Sequence, residues 1–192
     1  MYKAILFDFY GVFCADISHE WFKDHAIDYD KQIDDFRDLC TRSDYGQINA
    51  DQFCEELTLM TNSKVKVTPS DIGTYEAFNE SLVTLVRKLK NNYKIACLSN
   101  CTDDWINIVM KRHMIKDLFD EIIISGNIGM VKPYPEFYEY ALNKLNISPE
   151  EAIFTDDRQS NVDGAKYCGI ESILFSNTDS LESQLMKLGV TF

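Results

Sequence analysis

Lys3-Ala4-Ile5-Leu6-Phe7-Asp8-Phe9-Tyr10-Gly11-Val12, near the start of the chain, is an apolar run that delivers a carboxylate and then a glycine. Its apolar part, Lys3 to Phe9, is short and nearly continuous, which reads as a buried strand. Gly11 permits the sharp turn that leaves Asp8 at the strand's open end. Four further runs look alike: Tyr93 to Leu98, Glu121 to Ile124, Ala152 to Thr155 and Glu171 to Phe175. Helical stretches lie around 102–115, 135–146, 159–168 and 179–188. Strands buried on both faces and alternating with helices predict an α/β fold, a Rossmann-like parallel sheet with helices on both faces. Ligands of such sheets bind at the C-terminal ends of the strands, so chemistry is expected there.

The segment 14–78 breaks the alternation. It is acidic and helical in character, with Ile33, Phe36, Leu39 and Cys40, then Phe53, Leu57 and Met60, at helical spacing. Ser43-Asp44-Tyr45-Gly46 reads as a turn between the two stripes. The expected organisation is a core of 1–13 and 79–192 with a small inserted α-helical cap at 14–78, and a helix at about 80–91 leads back to the sheet. At 192 residues, one core plus such a lid is the natural division.

Net charge is −12, from 31 acidic and 19 basic residues, a balance that repels phosphodiester backbones and anionic membranes. Nucleic-acid and membrane partners are therefore not expected. The six cysteines carry no C-x-x-C pair and no zinc-finger histidine spacing, which suits buried thiols in a reducing compartment. With no signal-peptide pattern and no membrane-length apolar run, a cytoplasmic location is the expectation. His19, His25 and His113 share no metal spacing and read as incidental, while Trp21 and Trp105 read as packing.

Three more strand-end or loop features accompany Asp8. Cys97-Leu98-Ser99-Asn100 puts a hydroxyl at a strand end beside a helix N-terminus suited to anions, though Ser99 or Asn100 could equally start a turn with Thr102 as the helix cap. In Gly129-Met130-Val131-Lys132-Pro133, Pro133 pins the loop that presents Lys132. Phe154-Thr155-Asp156-Asp157, running into Arg158-Gln159-Ser160-Asn161, sets two acids side by side at another strand end, an arrangement that repels itself unless a cation is present. Each feature alone is as well explained by a turn, a cap or solvated surface.

Together, in this order, they resemble the haloacid dehalogenase-like (HAD) hydrolase superfamily, in the group whose helical cap is inserted after the first motif. The likeness runs over essentially the whole chain, including Gly129 to Ala141. It implies that Asp8 is a nucleophile forming an aspartyl-phosphate, and that Ser99, Asn100 and Lys132 hold phosphate oxygens, Lys132 also serving catalysis. It further implies Mg²⁺ held by Asp8, the Tyr10 carbonyl and Asp157, with Asp156 in support, and a small phosphorylated metabolite as substrate. Oxygen donors of this kind suit Mg²⁺.

Tyr10 departs from the family's phosphatases, which place there a second aspartate for proton transfer. A phenol with a pKa of about 10 is protonated at neutral pH and is a poor base toward water. Losing such a group typically costs about 10²–10⁴ in rate, so acyl and aryl phosphates would suffer least. Tyrosine at this position also resembles the L-2-haloacid dehalogenase branch, whose leaving halide needs no proton. That branch works without metal and has small polar residues where this chain has Asp156 and Asp157, and a water-activating acid where it has Asn161. A third reading is a weakened HAD protein that binds a phosphorylated ligand or a protein partner. Lys31, Arg37 and Arg42 are the cap cations that could meet a substrate, although solvated helix faces account for them equally well.

Overall fold

The computed structural model describes residues 1–15, 21–23, 28–60, 66–69 and 77–192. In chain order the strands are β1 (Ala4–Phe7), β2 (Lys94–Ser99), β3 (Glu121–Ile124), β4 (Ala152–Asp156) and β5 (Glu171–Leu174). They form one five-stranded sheet in the order β3-β2-β1-β4-β5, with every pairing parallel. The helices are α1 (Tyr29–Asp44), α2 (Ala50–Met60), α3 (Glu80–Leu89), α4 (Asp103–Arg112), α5 (Ser125–Ile128), α6 (Pro135–Leu145), α7 (Gln159–Tyr167) and α8 (Thr178–Lys187). The expected Rossmann-like sheet is present.

β1 is central because its residues are apolar on both faces. Ile5 and Phe7 join Ile95, Cys97 and Ile153 in one cluster with α3, α4 and α8. Ala4 and Leu6 join Ala96, Leu98 and Phe154 in a second with α6 and α7. Successive strand side chains point to opposite faces, so each strand feeds both clusters. Local signals end the helices where expected: Asn79 accepts from Leu82 N at 3.1 Å to cap α3, and Asn177 accepts from Ser180 N at 2.9 Å to cap α8. Pro135 opens α6, where its missing N–H costs nothing.

Register decides what meets at the sheet edge. Phe7 lies level with Cys97 on one side and Thr155 on the other. Asp8 extends the ladder by one bond, its N–H donating to Thr155 O at 2.9 Å. Asp8 is thereby level with Leu98 and Asp156.

Between β1 and α3 the described chain includes helices α1 and α2 and no further strand of the sheet. It leaves and rejoins the sheet as paired segments, with Ala15 N donating to Ala77 O at 3.0 Å and Asn79 N to Phe13 O at 2.8 Å. Helices α1 and α2 share a third cluster, Trp21, Phe22, Leu39, Ile48, Phe53, Cys54, Leu57 and Val67, against which Trp105 of α4 packs. The stripes read from Phe36, Leu39, Phe53 and Leu57 thus face one another. Where the sequence reads as a turn from Ser43, α1 continues to Asp44 and reverses afterwards, at Gly46 with φ +69°. No helix is long and apolar enough to cross a membrane among the described residues. His19 and His25 lie outside them, and His113 stacks on Phe78 with ring centroids 3.6 Å apart.

Gly164 on α7 touches the loop that carries Lys132: a Cβ there would lie 2.3 Å from Pro133 O. Gly164→Ala is therefore expected to force helix and loop apart and cost about 1–3 kcal/mol, read as a lower urea midpoint. An unchanged midpoint would show that this contact is not close-packed.

Candidate active site

The sheet edge brings Asp8, Ser99, Asn100, Lys132, Asp156, Asp157 and Asn161 together, although they come from four separate stretches of sequence. Lys132 is at the centre, with only 4% of its surface exposed. Its Nζ lies 2.6 Å from Asp8 Oδ1, and it donates at 2.8 Å both to Asp156 Oδ2 and to Leu98 O. Those three acceptors use its three N–H bonds. The stem is pinned as well: Asn100 Oδ1 accepts from Lys132 N and Asn100 Nδ2 donates to Lys132 O, both at 2.9 Å. The Asn100 amide is thus occupied by the lysine's main chain, a pairing no local pattern reveals.

Asp156 is fully buried and fully satisfied. Besides Lys132, Asn161 Nδ2 donates to its two oxygens at 3.0 and 2.9 Å, and Arg158 N donates to Oδ1 at 2.9 Å. Asp8 Oδ1 also accepts from Phe9 N at 2.7 Å. Ser99 is 1% exposed and takes a bond from Cys101 Sγ at 3.3 Å. Thr102 sits at the N-cap of α4 yet makes no capping bond, and its Oγ1 is buried without a partner. Tyr10 is half-buried on the pocket wall, its ring edge-on to Phe9 with centroids 5.3 Å apart.

Burial pushes the Asp8 carboxyl up to about 7, with Lys132 opposing and Asp156 adding to the rise. Burial would lower the Lys132 ammonium, but Asp8 and Asp156 outweigh it and hold it protonated. Asp157 is raised by burial and then by Asp156. Asp8, Asp156, Asp157 and Asp44 against Lys132 and Arg158 leave the site short of positive charge.

Oxygens of Asp8, Asp156 and Asp157 all lie within 4.8 Å of one another. Asp157 Oδ1 is buried with no hydrogen-bond partner, whereas the oxygens of Asp156 are taken. The turn at Gly11 comes so close that a Cβ there would sit 2.3 Å from Asp157 Cγ. An orphaned carboxylate oxygen beside two other acids fits a hard, oxygen-seeking cation of the Mg²⁺ kind.

Above Asp8 a cavity of about 260 Å³ opens between the sheet edge and helices α1 and α2. A residue that sequence reading leaves in a turn, Asp44, lines it. Its main-chain carbonyl accepts from Ser125 Oγ at 2.6 Å, and the same hydroxyl accepts from Cys101 N at 3.0 Å. The neighbouring Gly46 lies so near Gly126 that a Cβ would fall 2.1 Å from its carbonyl oxygen. Burial pushes the Asp44 carboxyl up to about 6, with Arg158 and Lys132 pulling it down. The sequence reads Ser43-Asp44-Tyr45-Gly46 as a turn and gives no sign that Asp44 faces the cavity.

The candidate cap cations face elsewhere. Lys31 pairs with Asp28 at 2.7 Å, Arg37 with Asp34 at 3.5 Å, and Arg42 with both Asp38 at 2.9 Å and Glu56 at 2.5 Å. None of the three lines the cavity.

A five-stranded parallel sheet with a buried lysine between acids at the C-terminal ends of its strands, and helices lying over that edge, is the Rossmann-like α/β architecture that the four motifs suggested. The family model described as haloacid dehalogenase-like hydrolase matches residues 5–175, and the chain belongs to that family. A D-ribitol-5-phosphate phosphatase of Bacteroides thetaiotaomicron is 24% identical over 191 residues, covering 90% of this chain and 91% of that one. Drimenol cyclase drtB of Aspergillus calidoustus is 30% identical over 111 residues, which cover 58% of this chain but 21% of that one, so the match spans about a fifth of its length. Among solved structures, a HAD family enzyme of Bacteroides thetaiotaomicron in complex with magnesium and inorganic phosphate superposes with a TM-score of 0.78 at 22% identity, covering 92% of this chain and 96% of that one. That likeness speaks to the fold.

Mg²⁺ at a hundred times its dissociation constant is expected to stabilise the chain by about 2.7 kcal/mol, or roughly 5–10 °C in unfolding temperature. Asp157→Ala should remove most of that shift in thermal unfolding. An equal shift in the variant, or none in the wild type, would show that the acid trio holds no cation.

Proposed function

We propose that the chain is a Mg²⁺-dependent phosphatase of small phosphate monoesters, acting through an aspartyl-phosphate on Asp8. The observation that carries this is the Asp8–Lys132–Asp156 ion cluster at the strand ends, with an unpartnered Asp157 oxygen beside it. The phosphatase named among the relatives supports the same reading.

Lys132 and the Phe9 N–H both hold Asp8 Oδ1, which directs Oδ2 to the phosphorus. In the first step the Oδ2–P bond forms, the P–O bond to the alcohol breaks, and the departing oxygen needs a proton. In the second, water attacks the same phosphorus, gives up a proton, and frees Asp8 and inorganic phosphate. The Ser99 hydroxyl would hold a phosphate oxygen, and Lys132, whose three N–H bonds are spent on Asp8, Asp156 and Leu98, would act on the phosphate through its charge. Asn100 acts through Lys132, whose main chain it clamps. Asp8, Asp157 and the Tyr10 carbonyl would hold Mg²⁺, with Asp156 behind them; the ion supplies the positive charge that lets an anionic phosphate approach carboxylates.

Tyr10 is a poor proton carrier here, and Asp44 is a better one. It is the other carboxylate on the described cavity wall above Asp8, and a carboxyl raised to about 6 exchanges protons readily near neutral pH. The dehalogenase reading, which Tyr10 favours, meets three acids around the place where a haloacid would bring its own carboxylate, and Asn161 is spent on Asp156.

Phosphate release from acetyl phosphate with Mg²⁺ is expected to vanish with chelator and in Asp8→Asn, while 2-chloropropionate yields no halide. Activity that survives chelator or Asp8→Asn sinks the proposal. Asp44→Asn should lower kcat for alkyl phosphates by about 10²–10⁴ and for acetyl phosphate far less, because an acyl phosphate's leaving group needs little protonation. Equal losses on both substrates would remove Asp44 from proton transfer, and a Tyr10→Asp variant that restores alkyl phosphate turnover to Asp44→Asn would confirm the shared role.

A further inference from the structure

The cavity above Asp8 is divided by chemistry. Its charged described residues, Asp8, Lys132, Arg158 and Asp44, belong to one end: Asp8 and Lys132 are in contact, and Arg158 and Lys132 are the cations that act on Asp44. The rest of its described lining is mainly apolar and includes Trp21, Phe22, Phe36, Phe53, Leu57 and Trp105. These rings form a continuous chain of edge-on contacts, with centroids 5.4 Å apart for Trp21 and Phe22, 5.0 Å for Phe22 and Phe36, 6.2 Å for Phe36 and Phe53, and 5.6 Å for Phe53 and Trp105. Each ring braces the next, so the wall is built from both the inserted helices and α4 and does not depend on one side chain.

We propose that the alcohol part of the substrate is a compact apolar body, aryl or branched alkyl, and that polyol and sugar phosphates are poor substrates. The proposal rests on the phosphatase reading and sharpens it. A buried hydroxyl must find a hydrogen-bond partner or be penalised, and the described side chains of this wall are five aromatic rings and Leu57, all carbon apart from two indole N–H groups. The inserted helices do carry cations, but Lys31, Arg37 and Arg42 are committed to Asp28, Asp34, Asp38 and Glu56 away from the cavity. Each methylene moved from water onto the wall is worth about fourfold in affinity. A volume of about 260 Å³ lies at the small end for ligand pockets, which sets the body's size at about one ring with a short chain.

The test compares two esters of primary alcohols, 3-phenylpropyl phosphate and ribitol 5-phosphate, whose leaving groups are chemically alike, with Mg²⁺ present. Acetyl phosphate, which has almost no body, reports on the Asp8 machinery alone. The expected kcat/KM ratio of phenylpropyl to ribitol ester is about 100-fold or more, carried mainly by KM. Phe36→Ser, at a half-buried position, should cut that ratio at least tenfold, while Leu59→Ser on the exposed face of α2 should leave it unchanged. A wild-type ratio near one or below, with acetyl phosphate hydrolysed, overturns the apolar assignment and spares the phosphatase reading. Silence on acetyl phosphate as well overturns both.

Discussion

The Lys132 ammonium lies 2.6 Å from Asp8 and 2.8 Å from Asp156, inside the protein, and most of the site's geometry answers to that arrangement. A buried charge is tolerable only when paired and hydrogen-bonded, and removing one partner from such a cluster costs about 3–5 kcal/mol. The surroundings meet the demand: Leu98 O takes the third N–H, Asn100 fixes the lysine's main chain, and Asn161 and the Arg158 N–H complete Asp156. The parallel register makes this possible, because it sets Asp8 level with Leu98 and Asp156.

The cluster satisfies Lys132 and Asp156 but not the site as a whole. Asp157 keeps a buried oxygen with no partner, and negative charge exceeds positive. Such a cluster of oxygens suits a hard divalent cation. Helices α1 and α2 are tied to the sheet edge through the Ser125 hydroxyl, which bridges the Asp44 carbonyl and the Cys101 N–H just past Ser99, so the position of the overlying helices is linked to the strand end beneath them.

Much of this was legible in the sequence. Glu121 to Ile124 reads as a strand and is one, and the helices fall within a few residues of their expected positions. β1 stops short of Phe9, whose N–H is taken by Asp8's own side chain, a choice that composition does not reveal. The acids were legible as types at strand ends and the lysine as a type in a loop. Hidden were the pairings that span long sequence separations, such as Asn100 with Lys132, and the inward placement of Asp44, which depends on the docking of Gly46 against Gly126. Arg42 shows the converse: it is suited by type to an anion, but its partners, Asp38 and Glu56, lie on its own helix and the next.

The proposed aspartyl-phosphate chemistry requires a covalent bond at one atom, Asp8 Oδ2. Acid quenching of the enzyme during turnover of acetyl phosphate with Mg²⁺, followed by peptide mass spectrometry, should find a phosphoryl group on the peptide carrying Asp8, and none in Asp8→Asn. Turnover with no phosphoryl group on that peptide, or with one on any other residue, would contradict it.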